Sequence, residues 1–373
     1  MDQDYLAQAL ELAKQGVGQT SPNPTVGAVV VRDGQVAGRG FHVYALKKHA
    51  EIVALEQAGE LARGACLYVT LEPCSHHGRT GPCADAVIAA GIRKVTAAIE
   101  DPNPLVAGEG FRKLRAAGIE VQLDDRHAAA ARKLNEAYIH FMKTRRPFVT
   151  LKSALTLDGK IAAPYDNDGW ITSERARAHV QTLRHASDCI LTGIGTVLAD
   201  DCLLNDRSGL PRSRPLLRIV LDSQLRLPLA SKMVSSCRAD VLVVTTSAAA
   251  PSRKAALEQA GAEVVVMDGK DGRVDLRALV NWLGRRDYQS LMIEAGSLVN
   301  WAALESEVAD RVFFYYAPKI LGGLQSLPVA GGKGRHRRRD AIQLENVTLH
   351  QIPPDEFAVE AYLRKSVDVH GNH

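Results

Sequence analysis

The chain has 373 residues, 46% of them apolar and 24% charged, with a formal net charge of +4. That length points to two domains and that composition to a globular protein, and no apolar run is long enough for a membrane span. The small positive charge argues against nucleic acid as a partner while allowing phosphorylated small molecules.

Residues 2–16 read as an amphipathic helix with early acids and neither a basic leader nor a cleavage site, so no secretory signal is expected and a cytoplasmic location follows. Strands are expected at 26–32 and 35–41 and a helix from about His49, then a strand at 66–71. A loop rich in Gly, Pro and His leads to a helix at 82–90. A strand at 93–98 and a helix at 108–117 continue the alternation, which implies a sheet covered by helices on both faces. An amphipathic helix over 126–142 ends before Thr144-Arg145-Arg146-Pro147, where proline and the basic cluster mark a linker. A second series starts at 148–155, with strands at 188–192, 216–221, 240–245, 289–293 and 311–317 and helices at 173–185 and 273–283. The expectation is two α/β domains, one over 1–145 and one over 146–367.

Six cysteines, too few and too scattered for a disulfide framework, read as reduced thiols or metal ligands. Two stand out. His49-Ala50-Glu51 opens a helix, and Pro73-Cys74 and Pro82-Cys83 bracket one loop. One imidazole and two thiolates make three protein ligands, the number found in catalytic zinc sites that keep a position for water. Glu51 starts the same helix without being forced onto the metal, and a glutamate there can carry a proton from water to a leaving amine. His-x-Glu followed by Pro-Cys and a second Cys is the zinc deaminase signature, although here eight residues separate the two cysteines instead of two. His42, His76 or His77 could instead supply a fourth ligand and close the site as a structural one.

The long spacing is itself informative. TLEPCSHHGRTGPC at 70–83 resembles the zinc loop of the bifunctional riboflavin-biosynthesis enzymes of the RibD family. So do SPNPTVGAVVV at 21–31, GRGFH at 38–42, the HAE at 49–51 and DPNPLVAGEG at 101–110. The second half is similar through LKSALTLDGKIA at 151–162, GWITS at 169–173, TVLADD at 196–201, LDS at 221–223, EAG at 294–296 and YYAPKILGG at 315–323. The resemblance spans nearly the whole chain. It implies a cytidine-deaminase-like α/β/α domain followed by a dihydrofolate-reductase-like α/β domain. The first would hydrolyse the 2-amino group of a diamino-ribosylamino-pyrimidinone 5′-phosphate; the second would reduce ribosyl to ribityl with NADPH.

By that resemblance His49, Cys74 and Cys83 hold Zn2+, Glu51 is the catalytic proton shuttle, and Asn23 is either a pyrimidine contact or a turn residue. NADPH contacts fall on Ala154, Trp170, Thr196, Asp200, Ser223 and Gly296, and substrate contacts on Arg184, Leu204, Arg207 and Glu294. Arginine forks suit a ribose phosphate, and Lys152 with Glu294 could assist opening of the ribose ring. From the residues alone, Gly193-Ile194-Gly195-Thr196 lacks the third small residue of the dinucleotide fingerprint and is no more than a possible phosphate loop. Two departures from the family pattern are Asp168-Gly169 before Trp170, where a carboxylate would repel phosphate, and Ala45-Leu46-Lys47-Lys48 before His49.

Three other readings use the same residues. A nucleic-acid deaminase would need the short Cys-x-x-Cys spacing and a basic, aromatic surface. Aromatics make up only 5% of the chain, and the basic run at 335–339 reads as a solvated loop. A zinc-stabilised nucleotide-binding scaffold would need an inactive Glu51 or a closed zinc shell, and Glu51 is present. A deaminase carrying an inactive reductase is the third. The oligomeric state is not read from the residues; the family resemblance implies a homo-oligomer, dimer or tetramer, for which an edge strand of the second domain is a candidate interface.

Overall fold

In the computed structural model, residues 4–76, 81–103, 106–165 and 168–364 are described. They form two compact units, 1–146 with 210–214, and 147–209 with 215–373.

The first unit runs α1 (Tyr5–Lys14), β1 (Gly27–Arg32), β2 (Gln35–Phe41), α2 (Ala50–Ala58), β3 (Cys66–Val69), α3 (Cys83–Ala89), β4 (Lys94–Ala97), α4 (Glu109–Ala116), β5 (Glu120–Leu123), α5 (Ala128–Leu134) and α6 (Glu136–Thr144). Its sheet has the order β2-β1-β3-β4-β5, antiparallel through β1 and parallel from β3 onward. Val29, Val30, Leu67 and Val95 are fully buried in it, as strands covered on both faces require. Glycine sets how close α2 comes. A Cβ on Gly38 would sit 2.0 Å from the Ala54 carbonyl oxygen, and one on Gly40 2.3 Å from that of Ala50. The helix that starts at His49 is therefore pressed onto the sheet backbone.

The single helix expected at 126–142 is two. Asn135 separates α5 from α6 because its side chain is engaged elsewhere: Oδ1 accepts from Thr25 N at 2.7 Å and Nδ2 donates to Thr25 O at 2.9 Å. A buried amide with both ends satisfied outweighs continuing the helix.

The second unit runs β6 (Phe148–Thr156), β7 (Lys160–Ala162), α7 (Glu174–His185), β8 (Cys189–Gly193), α8 (Ile194–Asp200), β9 (Leu217–Leu221), α9 (Lys232–Ser235), β10 (Val241–Thr245), α10 (Pro251–Gln259), β11 (Glu263–Val266), α11 (Leu276–Arg285), β12 (Ser290–Glu294), α12 (Ser297–Glu305), β13 (Arg311–Ala317), β14 (Leu327–Pro328), β15 (Leu344–Ile352) and β16 (Glu356–Leu363). Nine strands form one sheet in the order β11-β10-β9-β8-β12-β6-β13-β16-β15, parallel from β11 to β13 and antiparallel through the last two. Apolar strands such as CILTG and VLVVT lie inside the sheet, paired on both sides and buried throughout. The expected phosphate loop is the turn from β8 directly into α8. The 335–339 run is exposed, with Arg335 over the Trp301 ring. No helix among the described residues is long and apolar enough to cross a membrane.

Candidate active sites

In the first unit, His49 is the extended residue before α2, Cys83 is the first residue of α3, and Cys74 lies in the loop after β3. His49 Nδ1 stands 3.1 Å from Cys83 Sγ and 3.5 Å from Cys74 Sγ, and all three donors fall within 4.8 Å of one another. Tetrahedral zinc with ordinary Zn–N and Zn–S bonds would separate nitrogen from sulfur by roughly 3.6 Å. The donors are therefore already spaced for that ion. The chemistry of the set agrees. Cys83 Sγ first, then His49 and the Cys83 backbone N–H at 3.3 Å, hold the Cys74 thiol well below its usual range. A thiolate is a ready metal ligand, whereas the Cys83 thiol at the first turn of α3 is pushed well above its usual range by Cys74 and by burial and would release its proton on metal binding.

Glu51, in the first turn of α2, is 4% exposed. Burial pushes its carboxyl up to about 7, against the opposing charge of His49, so it can gain or lose a proton near neutrality. His42 does not close the site. Its Nδ1 is 2.8 Å from Lys48 O and its Nε2 3.1 Å from Asn23 Nδ2, so each ring nitrogen already has a partner. Nδ1–H donates to the carbonyl, leaving Nε2 to accept from the amide. The His42 ring lies 5.2 Å from that of His49, edge to face, which places Asn23 beside the metal donors. His76 is exposed and outside the donor cluster, and His77 lies outside the described residues.

Glu72, two residues before Cys74, is a part of the site that sequence reasoning missed. It is 2% exposed; Oε2 accepts from Asp101 N at 3.1 Å and Gly108 N at 2.9 Å, and Oε1 from Phe111 N at 3.1 Å. It ties the start of the zinc loop to the start of α4. The only sequence signal was an acid directly before Pro-Cys, and its three partners lie 29 to 39 residues away.

In the second unit several of the sequence-predicted residues, Ala154, Thr196, Ser223, Glu294 and Gly296, lie near or just beyond the C-terminal ends of parallel strands. Glu294 ends β12; its Oε1 accepts from Lys152 Nζ at 2.8 Å, and its Oε2 accepts from Arg184 Nε at 3.1 Å and Nη2 at 2.9 Å. Burial pushes the Glu294 carboxyl up, but Lys152 and Arg184 outweigh it and hold the group down at about 2. Arg184 Nη1 also donates to Asn205 O at 2.9 Å, next to buried Leu204. Arg207 is exposed, with its backbone N–H fixed by Gln181 Oε1.

Thr196 and Gly296 face one another, since a Cβ on Gly296 would meet Thr196 Oγ1 at 3.8 Å and nothing nearer. At Gly195 a Cβ would meet nothing within 4 Å. The backbone at the starts of α8 and α12 therefore borders open space, a cradle that suits the close approach of a nucleotide. Ala154 lies on β6, half-buried, and Asp200 at the exposed end of α8. Ser223 follows β9, its carbonyl oxygen accepting from Thr246 Oγ1. Trp170 is 69% exposed; Arg177 stacks on its ring at 4.9 Å and Lys319 Nζ donates to its carbonyl oxygen.

Comparison with known proteins agrees with this division of chemistry. Residues 147–356 match the RibD C-terminal domain family, and residues 1–99 match the cytidine and deoxycytidylate deaminase zinc-binding region. The riboflavin biosynthesis protein RibD of Actinobacillus pleuropneumoniae is 43% identical over 354 residues, covering 95% of this chain and 93% of that protein. RibD of Escherichia coli strain K12 is 40% identical, covering 95% and 97%. Among solved structures, Acinetobacter baumannii RibD superposes with a TM-score of 0.86 at 36% identity, covering 98% of this chain and 99% of that one. A Thermotoga maritima diaminohydroxyphosphoribosylaminopyrimidine deaminase/5-amino-6-(5-phosphoribosylamino)uracil reductase superposes at 0.82 with 37% identity, covering 96% and 98%. Both fold expectations hold: a cytidine-deaminase-like first domain and a dihydrofolate-reductase-like second.

Proposed function

The chain belongs to the RibD family of riboflavin biosynthesis, bifunctional enzymes with a zinc-dependent deaminase and an NADPH-dependent reductase, and from that premise we propose how its residues divide the work. The observation that carries the reading is the spacing of His49, Cys74 and Cys83 beside a buried, proton-poised Glu51. Zinc, when bound, supplies a water of lowered pKa, and NADPH supplies a hydride.

His49 through Nδ1, Cys74 and Cys83 are assigned to the metal. Glu51 receives a proton from the attacking water and passes it to the departing amine, so that water adds, ammonia leaves and the carboxyl returns to its starting state. Asn23, steadied by His42, orients the pyrimidine. In the reductase, Lys152 gives a proton to the ribose ring oxygen as the ring opens, and the resulting iminium carbon takes the hydride, so one proton and one hydride are consumed per ribityl formed. Glu294 and Arg184 hold Lys152 in place as a pre-formed unit at the substrate, with Leu204 lining the site and Arg207 presented to the phosphate. Ala154, Trp170, Thr196, Asp200, Ser223 and Gly296 are assigned to NADPH. The domain division is drawn at 1–145 and 146–367.

Within the same reading the enzyme works in the cytoplasm, on small phosphorylated substrates without nucleic acid, and as a homo-oligomer. Support for assembly comes from β15, an edge strand whose Leu344, Val347 and Leu349 are 41%, 60% and 62% exposed. A Val347→Lys change is expected to lower the mass measured by light scattering; an unchanged mass would place the interface elsewhere.

The test of function follows ammonia release from the diamino-ribosylamino-pyrimidinone phosphate, with and without NADPH, in the wild type and in Glu51→Gln. Ammonia release should fall by about a hundredfold to ten-thousandfold in the variant. NADPH oxidation should depend on the deaminated product. Retained ammonia release in Glu51→Gln would overturn the shuttle, and deamination without NADPH oxidation would leave the second domain mis-assigned.

A further inference from the structure

The Lys152–Glu294 pair is tied to α7 through Arg184, beside the apolar cluster that Ala176 and Val180 of α7 form with Phe313 and Tyr315. Lys152 Nζ, on a side chain 8% exposed, has the Tyr315 ring beneath it at 5.8 Å to the centroid. Tyr315 is 1% exposed, sits opposite Ala154 in the β6–β13 register, and packs at 5.2 Å against Phe313, which lies opposite Lys152 itself. The Tyr315 hydroxyl is 2.7 Å from His179 Nδ1. His179 belongs to α7, five residues before Arg184, the second cation on Glu294. One helix therefore steadies the pair at two points, through Arg184 on the carboxylate and through His179 on the ring that supports the ammonium.

Burial dictates the direction of the His179–Tyr315 bond. It pushes the Tyr315 phenol far above its usual range, with Glu294 adding to the effect, so the hydroxyl keeps its proton and donates. Burial, and the nearby His350, lower the His179 pKa, so Nδ1 is available to accept. His350 is itself paired with Glu360 at 2.9 Å, and Glu360 with Arg311. The charges facing His179 across the sheet are thus compensated among themselves, and the neutral imidazole is the form this layer accommodates.

Resting on the assignment of Lys152 and Glu294 to the reductase, we infer that Tyr315, tethered by His179, is a positioning residue of the reduction reaction: its ring holds the Lys152 ammonium in line for proton donation to the opening ribose. A cation over a desolvated aromatic face is held electrostatically, and a ring fixed at its hydroxyl fixes the cation's position. Protonating His179 turns the bond round, Nδ1–H then donating to the hydroxyl oxygen, and sets a second cation against the ring that supports the Lys152 ammonium, which loosens Lys152.

The experiment uses the full-length enzyme, with ammonia release as an internal control for folding and calorimetry for the reductase domain. Tyr315→Leu removes ring and tether; reductase kcat is expected to fall between about tenfold and a hundredfold while deamination and the KM for NADPH stay within about twofold. Tyr315→Phe keeps the ring and loses only the tether. The wild-type kcat should show a step on the acid side of neutrality from His179, and Tyr315→Phe should move it to lower pH, because the imidazolium then has no hydroxyl oxygen to donate to. His179→Asn, whose amide oxygen can take the place of Nδ1 as acceptor, should keep the rate and lack the step altogether. A purely structural role would not move the pH profile.

The inference is overturned by Tyr315→Leu turning over within twofold of wild type, by a loss confined to KM, or by an acid step at unchanged pH in Tyr315→Phe. If Tyr315→Leu does not fold, the Tyr315→Phe profile decides. Lys152→Met separates the two layers of the argument. Full reductase activity in that variant would sink the Lys152 assignment itself, whereas an inactive Lys152→Met beside normal Tyr315 variants would sink only this inference.

Discussion

Replacing Glu294 by glutamine tests the electrostatics of the reductase site directly. The carboxylate accepts three bonds of 2.8–3.1 Å from two cations whose side chains are 8% and 11% exposed. Glutamine keeps one oxygen and turns an N–H toward either the ammonium or the guanidinium, so one buried cation loses its partner. Holding the group at about 2 instead of 4.5 corresponds to on the order of 3 kcal/mol, in line with the cost of breaking a buried ion pair. At about 2–4 °C per kcal/mol for a domain of this size, the reductase unfolding transition should drop by roughly 6–12 °C. Because the folded value is depressed, this contribution is complete above pH 4.5 and is lost as pH falls toward 2. The wild type should thus lose reductase-domain stability across that window, and Glu294→Gln should show a shallower slope there. Calorimetry from pH 7 down to 3 reads the transition, and NADPH oxidation with the deaminated substrate reads activity, expected to fall at least tenfold while ammonia release is unchanged. A variant that melts within a degree of wild type and reduces substrate normally would refute both the energetic and the catalytic reasoning.

Further expectations concern parts that can be separated. Chelation, or Cys83→Ser, should abolish deamination and leave NADPH oxidation on supplied deaminated substrate intact, with zinc restoring only the chelated wild type; reductase loss on chelation would contradict the division of labour. Glu72→Gln strands at least one of the N–H groups of Asp101, Gly108 and Phe111, at about 1–3 kcal/mol, and should lower both deaminase-domain stability and zinc retention measured by a colorimetric chelator competition. Arg207→Ala should raise the KM of the phosphorylated reductase substrate roughly tenfold to a hundredfold with little change in kcat, and an unchanged KM would remove Arg207 from phosphate binding.

What could be read in the sequence was whatever lies close together along it. His49 and Glu51 share one helix start and Cys74 and Cys83 one loop, so residue type and spacing already suggest the metal donors. Apolar central strands such as those at 189–193 and 241–245 declare themselves by composition. Contacts between distant segments do not. Asn135 breaks a helix because of a bond to Thr25, 110 positions earlier, and the apolar period runs straight through the break. Edge strands were missed for a different reason: β5 and β15 are mostly exposed, so neither burial nor alternation marks them. Tyr315 and His179 are unremarkable in their own segments, and only the register of β13 against β6 and the packing of α7 bring them to Lys152.

The two sites use a carboxylate in opposite ways. Glu51 is sealed by its surroundings with only the partial opposition of His49, and burial raises it to about 7, where a carboxyl can both take and release a proton. Glu294 is only partly covered, its side chain 21% exposed, and two cations contact it directly and drive it to about 2, where it stays charged through any working pH. The first environment makes a proton carrier; the second makes a fixed anion that holds another residue's charge in position. Exchanging the environments would exchange the roles: a cation placed beside Glu51 would pin its proton off and stop deamination, and removing Lys152 and Arg184 together would leave Glu294 protonated and its site without an anchor. Carboxylates pushed apart by their surroundings in this way explain how one chain can run a hydrolysis and a reduction at one pH.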